Sequence, residues 1–437
     1  MKLLAITGPN SGSGKTLLTL GIIRSLKNRG LDVSAFKTGP DYIDTKYLSI
    51  ALGKRAGNLD FHLMGKEGVF NSIGMNKSEI GIIEGAMGYF DGISNTFENS
   101  TYDIVNTLKT NSILVYTPKG EMFSAIPQIK GMVDFPNSNI KGIIFNKVSK
   151  EYYLMLKEQV EKYIDIEVLG YLEFNKDFEI QSRHLGLLQS HELSNIEEII
   201  NMVANKIEET IDLDSLLKLA KDVEIKSYNY PMKKNIKIAI AYDDAFSFYY
   251  GENLNLFENI CHVDYFSPLK DEYLPECNLV YLGGGYPELY KEELSKNQKL
   301  IKSIKNYGED GGFILAEGGG LMYLTEHIDG SSMVELIKGY TSMENKNKRF
   351  GYVNMRLEED IILGKRGDLL TGNEFHKSQV KTNLKEVINI NKPKRDKFWS
   401  CGYQYKNTLA MYQHINFLGN MDSFEFLLNK IEQKKRR

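Results

Sequence analysis

Short unbroken apolar runs recur along the first half of the chain, each closed by glycine or polar residues. They are Leu3–Ile6, Val33–Phe36, Ile80–Ile83, Ser112–Tyr116, Gly142–Phe145 and Ile166–Tyr171. Continuous runs of this length mark strands buried on both faces, whereas a one-sided strand alternates apolar and polar residues. Between the first two runs lies an amphipathic stretch, Leu17–Leu26, which predicts a helix ending near Arg29-Gly30. Strands alternating with helical stretches predict a parallel sheet covered on both faces. Ile211–Val223 reads as the last helix of this half, and residues 225–235, with Tyr-Asn-Tyr-Pro and three lysines, read as a linker. A second series follows: Ile236–Ala241, Val263–Phe266, Leu279–Leu282 and Phe313–Ala316. The pattern predicts an α/β protein of two doubly wound parallel-sheet domains, residues 1–224 and 236–437.

Composition narrows the class. A chain of 437 residues is too long for one ordinary domain. A net charge of −3 gives no global field for nucleic acid or anionic lipid, so neither is expected as a partner. The Lys434-Lys435-Arg436-Arg437 cluster reads as a solvated tail. No apolar run approaches the length of a membrane span. The N-terminal run ends at Thr7 and enters a glycine loop, which predicts a buried strand in place of a signal peptide. Cys261, Cys277 and Cys401 show no paired spacing, which points to a reducing cytoplasm.

The chemistry starts at Gly8-Pro9-Asn10-Ser11-Gly12-Ser13-Gly14-Lys15-Thr16, set between the first strand and the first helix. That is the context of a phosphate-binding loop. Gly12 and Gly14 let backbone N–H groups turn toward phosphate oxygens, the helix N-terminus adds partial positive charge, and Lys15 reaches the outer phosphates. Thr16 offers its hydroxyl to Mg2+. Pro9 replaces the usual first glycine, as fits the deviant loop of the dethiobiotin-synthetase-like branch. Lys37-Thr38-Gly39-Pro40-Asp41-Tyr42-Ile43-Asp44 follows the second strand. Glu84 ends the third, opening Glu84-Gly85-Ala86-Met87-Gly88-Tyr89-Phe90-Asp91-Gly92. Acids at the carboxyl ends of parallel strands point into the phosphate crevice, so Asp44 and Glu84, with Asp41 and Asp91, are candidates to converge on one MgATP. Asn146, at the end of a later strand, stands where folds of this class read adenine. Arg183 either neutralises phosphate or carboxylate or makes a surface salt bridge, and the adjacent His184 reads as a packed residue.

In the second half, Gly283-Gly284-Gly285 follows a strand and either presents amides to an oxyanion or makes a tight turn. Phe313–Ala316 runs through Glu317-Gly318-Gly319-Gly320 into a helical stretch, the shape of a nucleophile elbow without a nucleophile.

Taken together these motifs resemble the cobyrinate a,c-diamide synthases, glutamine-dependent ligases of corrin biosynthesis. The resemblance runs through the phosphate loop, Lys37–Asp44, Asn58-Leu59-Asp60, Glu84–Gly92 and Arg183–Gly186. It continues through Ala245-Phe246, Phe248–Tyr250, Leu282–Tyr290, Glu374-Phe375-His376 and Tyr412-Gln413-His414. It implies a dethiobiotin-synthetase-like ATPase domain joined to a class I glutamine amidotransferase domain. It also implies that ATP and Mg2+ activate the a- and c-carboxylates of cobyrinate as acyl phosphates, which ammonia converts to amides. By the same resemblance Asp41, Asp44, Glu84 and Asp91 are functional acids, Thr16, Asp44 and Glu84 serve magnesium, and Tyr42 and Ile43 lie near the corrin side chains. His414 matches the general base that activates the glutaminase thiol. The family elbow carries cysteine where this chain has Gly318, and glycine cannot attack glutamine. The nitrogen source is then ammonia from solution or from a separate glutaminase, and a homo-oligomer is possible. Two rivals are the same chemistry on another tetrapyrrole, such as Ni-sirohydrochlorin, and a non-catalytic ATP-binding member. A substrate panel separates the first; retention of all four acids argues against the second.

Overall fold

A computed structural model describes residues 1–135, 137–180, 195–346 and 348–435. Arg183 and His184 therefore lie outside the described residues. The chain divides into two compact units, Met1–Phe61 with Val69–Tyr228, and His62–Gly68 with Asn229–Arg437.

The first unit carries strands β1 (Lys2–Thr7), β2 (Val33–Thr38), β3 (Gly57–Leu59), β4 (Ile80–Glu84), β5 (Asn111–Tyr116), β6 (Ile140–Asn146), β7 (Glu167–Leu172) and β8 (Lys221–Asp222). Seven of them pair in the order β3-β2-β4-β1-β5-β6-β7, all parallel, and β8 lies antiparallel on β1. Leu3, Leu4, Ala5 and Ile6 of β1 are wholly buried, which is why this stretch reads as an unbroken apolar run. From β1 the chain passes to β2 on the far side of β4, and the later strands continue from β1 in the opposite direction. The crevice at this reversal, outside the carboxyl ends of β1 and β4, is where such sheets bind ligands.

One face of the sheet is covered by the helix Lys15–Asn28 and by a helix the apolar pattern did not predict, Ile196–Thr210. Ile196, Ile199, Ile200, Val203, Ala204 and Ile207 form its buried stripe, with helical spacing. The two helices approach through Gly21, where a Cβ would stand 2.5 Å from Ile207 Cδ1 and 2.6 Å from Val203 Cγ1. The helix expected over Ile211–Val223 is shorter. Asp212 caps it by accepting from Ser215 N, it spans Leu213–Leu219, and extended backbone at Ala220 hands the chain to β8.

The second unit carries β9 (Lys237–Ala241), β10 (His262–Phe266), β11 (Leu279–Leu282), β12 (Phe313–Glu317), β13 (His327–Ile328), β14 (Ser331–Ser332), β15 (Tyr340–Met343), β16 (Arg349–Leu357), β17 (Leu369–His376), β18 (Ser378–Lys381), β19 (Glu386–Asn391), β20 (Phe398–Tyr405) and β21 (Thr408–Met411). Its main sheet runs β10-β9-β11-β12-β21-β20-β19-β16-β17, and a small sheet runs β14-β13-β15-β18. β10, β9, β11, β12 and β21 are parallel, as the α/β pattern predicts. From β21 outward the pairing is antiparallel, so this sheet is mixed. The reversal has a local cause. Only Lys406 and Asn407 separate β20 from β21, with Lys406 at φ 52°, and a two-residue connection can join only antiparallel neighbours.

Among the described residues no helix is long and apolar enough to cross a membrane, and all three cysteines are free. Gly21→Val should destabilise the first unit by about 1–3 kcal/mol, because the added methyls overfill the contact with Val203 and Ile207. Urea unfolding followed by circular dichroism measures it.

Candidate active site

The phosphate loop leaves β1 and turns on Gly12 and Gly14, at φ 79° and 84°. Gly14 has a second constraint, since a Cβ there would meet Asn146 Nδ2 at 2.0 Å. Asn146, at the end of β6, donates to Ser13 O at 3.1 Å and so braces the loop. No side chain caps the helix Lys15–Asn28, which leaves its first-turn N–H groups for an anion. Lys15 Nζ curls over the loop and donates to Asn10 O (2.8 Å) and Met87 O (2.7 Å). Burial first, and the charge of Lys37 second, lower the Lys15 pKa to about 8.

Beside the loop stands a buried ionic bridge. Lys37 and Glu84 are register neighbours on β2 and β4, so their side chains share one face. Lys37 Nζ lies 2.7 Å from Glu84 Oε1 and 2.5 Å from Asp44 Oδ2, and Thr16 Oγ1 donates to Glu84 Oε1 at 2.6 Å. Burial works against the Lys37 charge, but Asp44 and Glu84 outweigh it and hold its pKa above the ordinary lysine value. Burial pushes Glu84 upward against the pull of Lys37. The second oxygen, Glu84 Oε2, is buried with no hydrogen-bond partner among the described residues.

Asp41 and Asp91 are placed differently. Asp41 Oδ1 accepts from Ile43 N and Asp44 N, both at 2.9 Å, and thereby starts the helix Ile43–Leu52. Burial first and Asp44 second push its pKa up to about 7. Tyr42 stands at the N-terminal boundary of the same helix. Asp91 is exposed and accepts from Gly88 N at 2.9 Å, closing the turn that presents Met87 O to Lys15.

In the second unit the elbow is present in backbone form. Gly318 joins β12 to the helix Gly319–Leu324 at φ 52°, ψ −109°. A Cβ there would lie 2.6 Å from His414 Nε2, while His414 Nδ1 lies 3.4 Å from Glu317 Oε2. The imidazole thus has one nitrogen toward the elbow and the other toward an acid, the order of a nucleophile–base–acid triad lacking only the nucleophile. Glu317 is itself held by Tyr281 OH, which donates to Oε2 at 2.9 Å. The glycines after β11 are there for close packing. A Cβ at Gly283 would strike the Tyr249 ring, one at Gly284 would meet His414 Cε1 at 2.4 Å, and one at Gly285 would meet Ala245 O at 2.0 Å. Gly284 N donates to Phe248 O, so that amide is already engaged. Asn416 is occupied with Glu252 and Leu418 N.

Residues 4–188 match a CobQ/CobB/MinD/ParA nucleotide binding domain, and residues 237–421 match a CobB/CobQ-like glutamine amidotransferase domain. The chain is 42% identical over 436 residues to cobyrinate a,c-diamide synthase of Clostridium acetobutylicum, covering 98% of this chain and 100% of that one. It is 40% identical over 439 residues to the synthase of Clostridium tetani, again 98% and 100%, and 40% identical over 401 residues to that of Methanocaldococcus jannaschii, 88% of each. The chain belongs to the cobyrinate a,c-diamide synthase family. As in that family, a nucleotide-binding domain and an amidotransferase-type domain share one polypeptide.

Of the residues singled out in the sequence of this family member, Lys15, Thr16, Asp44 and Glu84 come together around Lys37. Asp41 stands at the edge of the group, and Asp91 sits on a neighbouring turn. Gly318 and His414 meet in the second unit. Two residues of this geometry, Lys37 and Glu317, lie in the quoted motifs without an assigned role. Lys37 was visible as the first residue of Lys-Thr-Gly-Pro-Asp at a strand end, the same position Glu84 occupies on β4. Glu317 precedes the elbow but lies 97 residues from the histidine it faces, a pairing with no local signal.

Two outcomes follow from this geometry. ATP affinity should hold steady at neutral pH and weaken as pH rises through about 8, because Lys15 then sheds the proton that makes it cationic. Titration with a fluorescent ATP analogue at successive pH values checks this. Gly318→Cys should gain glutamine hydrolysis once the imidazole shifts away from the 2.6 Å at which a Cβ would meet its Nε2. Adding Glu317→Gln should remove on the order of 10²-fold or more of that gain, read as glutamate release.

Proposed function

We propose that this chain is a carbon–nitrogen ligase that amidates the a- and c-carboxylates of cobyrinate in cobalamin biosynthesis, at the expense of ATP. The observation that carries the reading is the Lys37–Asp44–Glu84 bridge placed against the phosphate loop, in a chain matching cobyrinate a,c-diamide synthases over nearly its full length. A carboxylate oxygen of the macrocycle attacks the γ-phosphorus of ATP and ADP departs, leaving an acyl phosphate. The ammonia nitrogen then attacks the acyl carbon, phosphate leaves with the bonding pair, and a proton is lost to give the amide. Lys15 and the helix amides balance charge on the transferring phosphoryl group, and Lys37 holds Asp44 and Glu84 at the crevice.

The residues fit magnesium. Glu84 Oε2 is a buried carboxylate oxygen with no partner among the described residues, and Thr16 Oγ1 already touches the other oxygen. Thr16, Glu84 and Asp44 would hold the ion, and it would neutralise phosphate charge.

The nitrogen source is ammonia, free or made by another protein, because no thiol stands at the elbow. Burial holds the thiols of Cys261 and Cys401 up at about 12 and that of Cys277 at about 11, so none offers a thiolate at neutral pH. With ATP and cobyrinate, amide formation should run on ammonium salts and fail on glutamine alone. Its rate should climb as pH passes about 7, where free ammonia increases and Asp41 ionises, then fall above about 8 as Lys15 discharges. Coupled ADP release with mass spectrometry of the product reads both. Robust turnover on glutamine without a helper protein would refute the nitrogen assignment.

A further inference from the structure

The Asn58-Leu59-Asp60 stretch has no part in the chemistry above, yet both polar side chains hydrogen-bond to the loops that carry the acids. Asn58 pairs in register with Lys37 across β3 and β2 and is almost fully buried. Its Nδ2 donates to Gly39 O and to Asp41 O, each at 2.9 Å, gripping the turn on either side of Pro40. Asp41 Oδ1 in turn fixes Ile43 N and Asp44 N. The grip is anchored from behind, since Ser72 Oγ donates to Asn58 O at 2.9 Å and Gly39 N to Leu59 O at 3.0 Å. Two residues on, Asp60 is wholly buried and its Oδ1 accepts from Asn99 Nδ2 at 3.1 Å, while Asn99 Oδ1 accepts from Phe61 N at 2.7 Å. Asn99 closes the loop that begins at Glu84 and carries Asp91, and it sits at φ 60°, a backbone setting that needs such ties. Both acid-bearing loops are therefore fastened to β3 and the two residues that follow it.

We propose that Asn58 and Asp60 are positioning residues that set the spacing between the Asp41–Asp44 turn and the Glu84–Asp91 loop, and so the fit of the substrate's carboxylate arm. The proposal rests on the ligase reading. Asn58→Asp replaces the two N–H donors by an oxygen facing two carbonyls, and Asp60→Asn removes the acceptor's charge. In each, kcat/KM for cobyrinate with ammonium should fall by about 10–100-fold, while affinity for a fluorescent ATP analogue stays within about twofold. Amide hydrogen exchange should quicken in residues 39–44 for Asn58→Asp and in residues 92–99 for Asp60→Asn, with residues 8–16 unchanged. Should Asn58→Asp not fold, Asn58→Ala deletes the donors without adding charge. Unchanged kcat/KM would overturn the proposal, and so would a loss of nucleotide affinity in step with it, which marks a merely structural role. A wild-type chain that amidates nothing would sink the ligase reading, and the exchange measurement would still decide whether the brace exists.

Discussion

A lysine ammonium buried between two carboxylates is costly to assemble, and the first unit is built around one. Removing ions from water costs several kcal/mol each, and their mutual attraction repays this only when the geometry is tight. Here it is tight because β2 and β4 place Lys37 and Glu84 side by side in register, and the helix after Asp41 swings Asp44 onto the same nitrogen. Such a bridge is weak evidence for stability alone, since apolar residues of similar volume often do as well. It makes sense as a device for holding acids beside a phosphate loop, where Thr16 donates to Glu84 Oε1, Glu84 Oε2 has no hydrogen-bond partner among the described residues, and Lys15 lies over the loop.

The second unit sets an imidazole between a bare glycine elbow and a buried acid. The strand–elbow–helix path, the imidazole and the acid behind it are all in place, and the single side chain at Gly318 is missing. Glycine adopts φ 52° without the steric penalty that burdens other residues there. The surrounding contacts keep it: Gly318 N donates to Met411 O, and Gly320 N to Gly283 O. Fold and chemistry separate cleanly at this one position.

What local sequence makes legible is what local sequence causes. The phosphate loop can be read from nine residues because its glycines, its lysine and the helix behind it all act within one turn of chain. The parallel strands can be read because burial on both faces forces apolar continuity. The antiparallel half of the second sheet was not read, since strands such as Arg349–Leu357 mix buried and exposed positions and carry polar residues throughout. The helix Ile196–Thr210 carries an apolar stripe at helical spacing, but no motif flags it and its place against Gly21 does not follow from that spacing.

Residue type and short-range spacing account for the alternation of strands and helices in the first unit, the phosphate loop, the acids at strand ends and the glycine at the elbow. Tertiary pairing alone joins Lys37 to two of those acids, sets Glu317 against His414, and ties Asn58 to the Gly39 and Asp41 carbonyls and Asp60 to Asn99. Those pairings arise from strand register and sheet order, which bring distant residues within hydrogen-bond reach. Register is set by the whole sheet's burial and leaves no mark in any one stretch of chain.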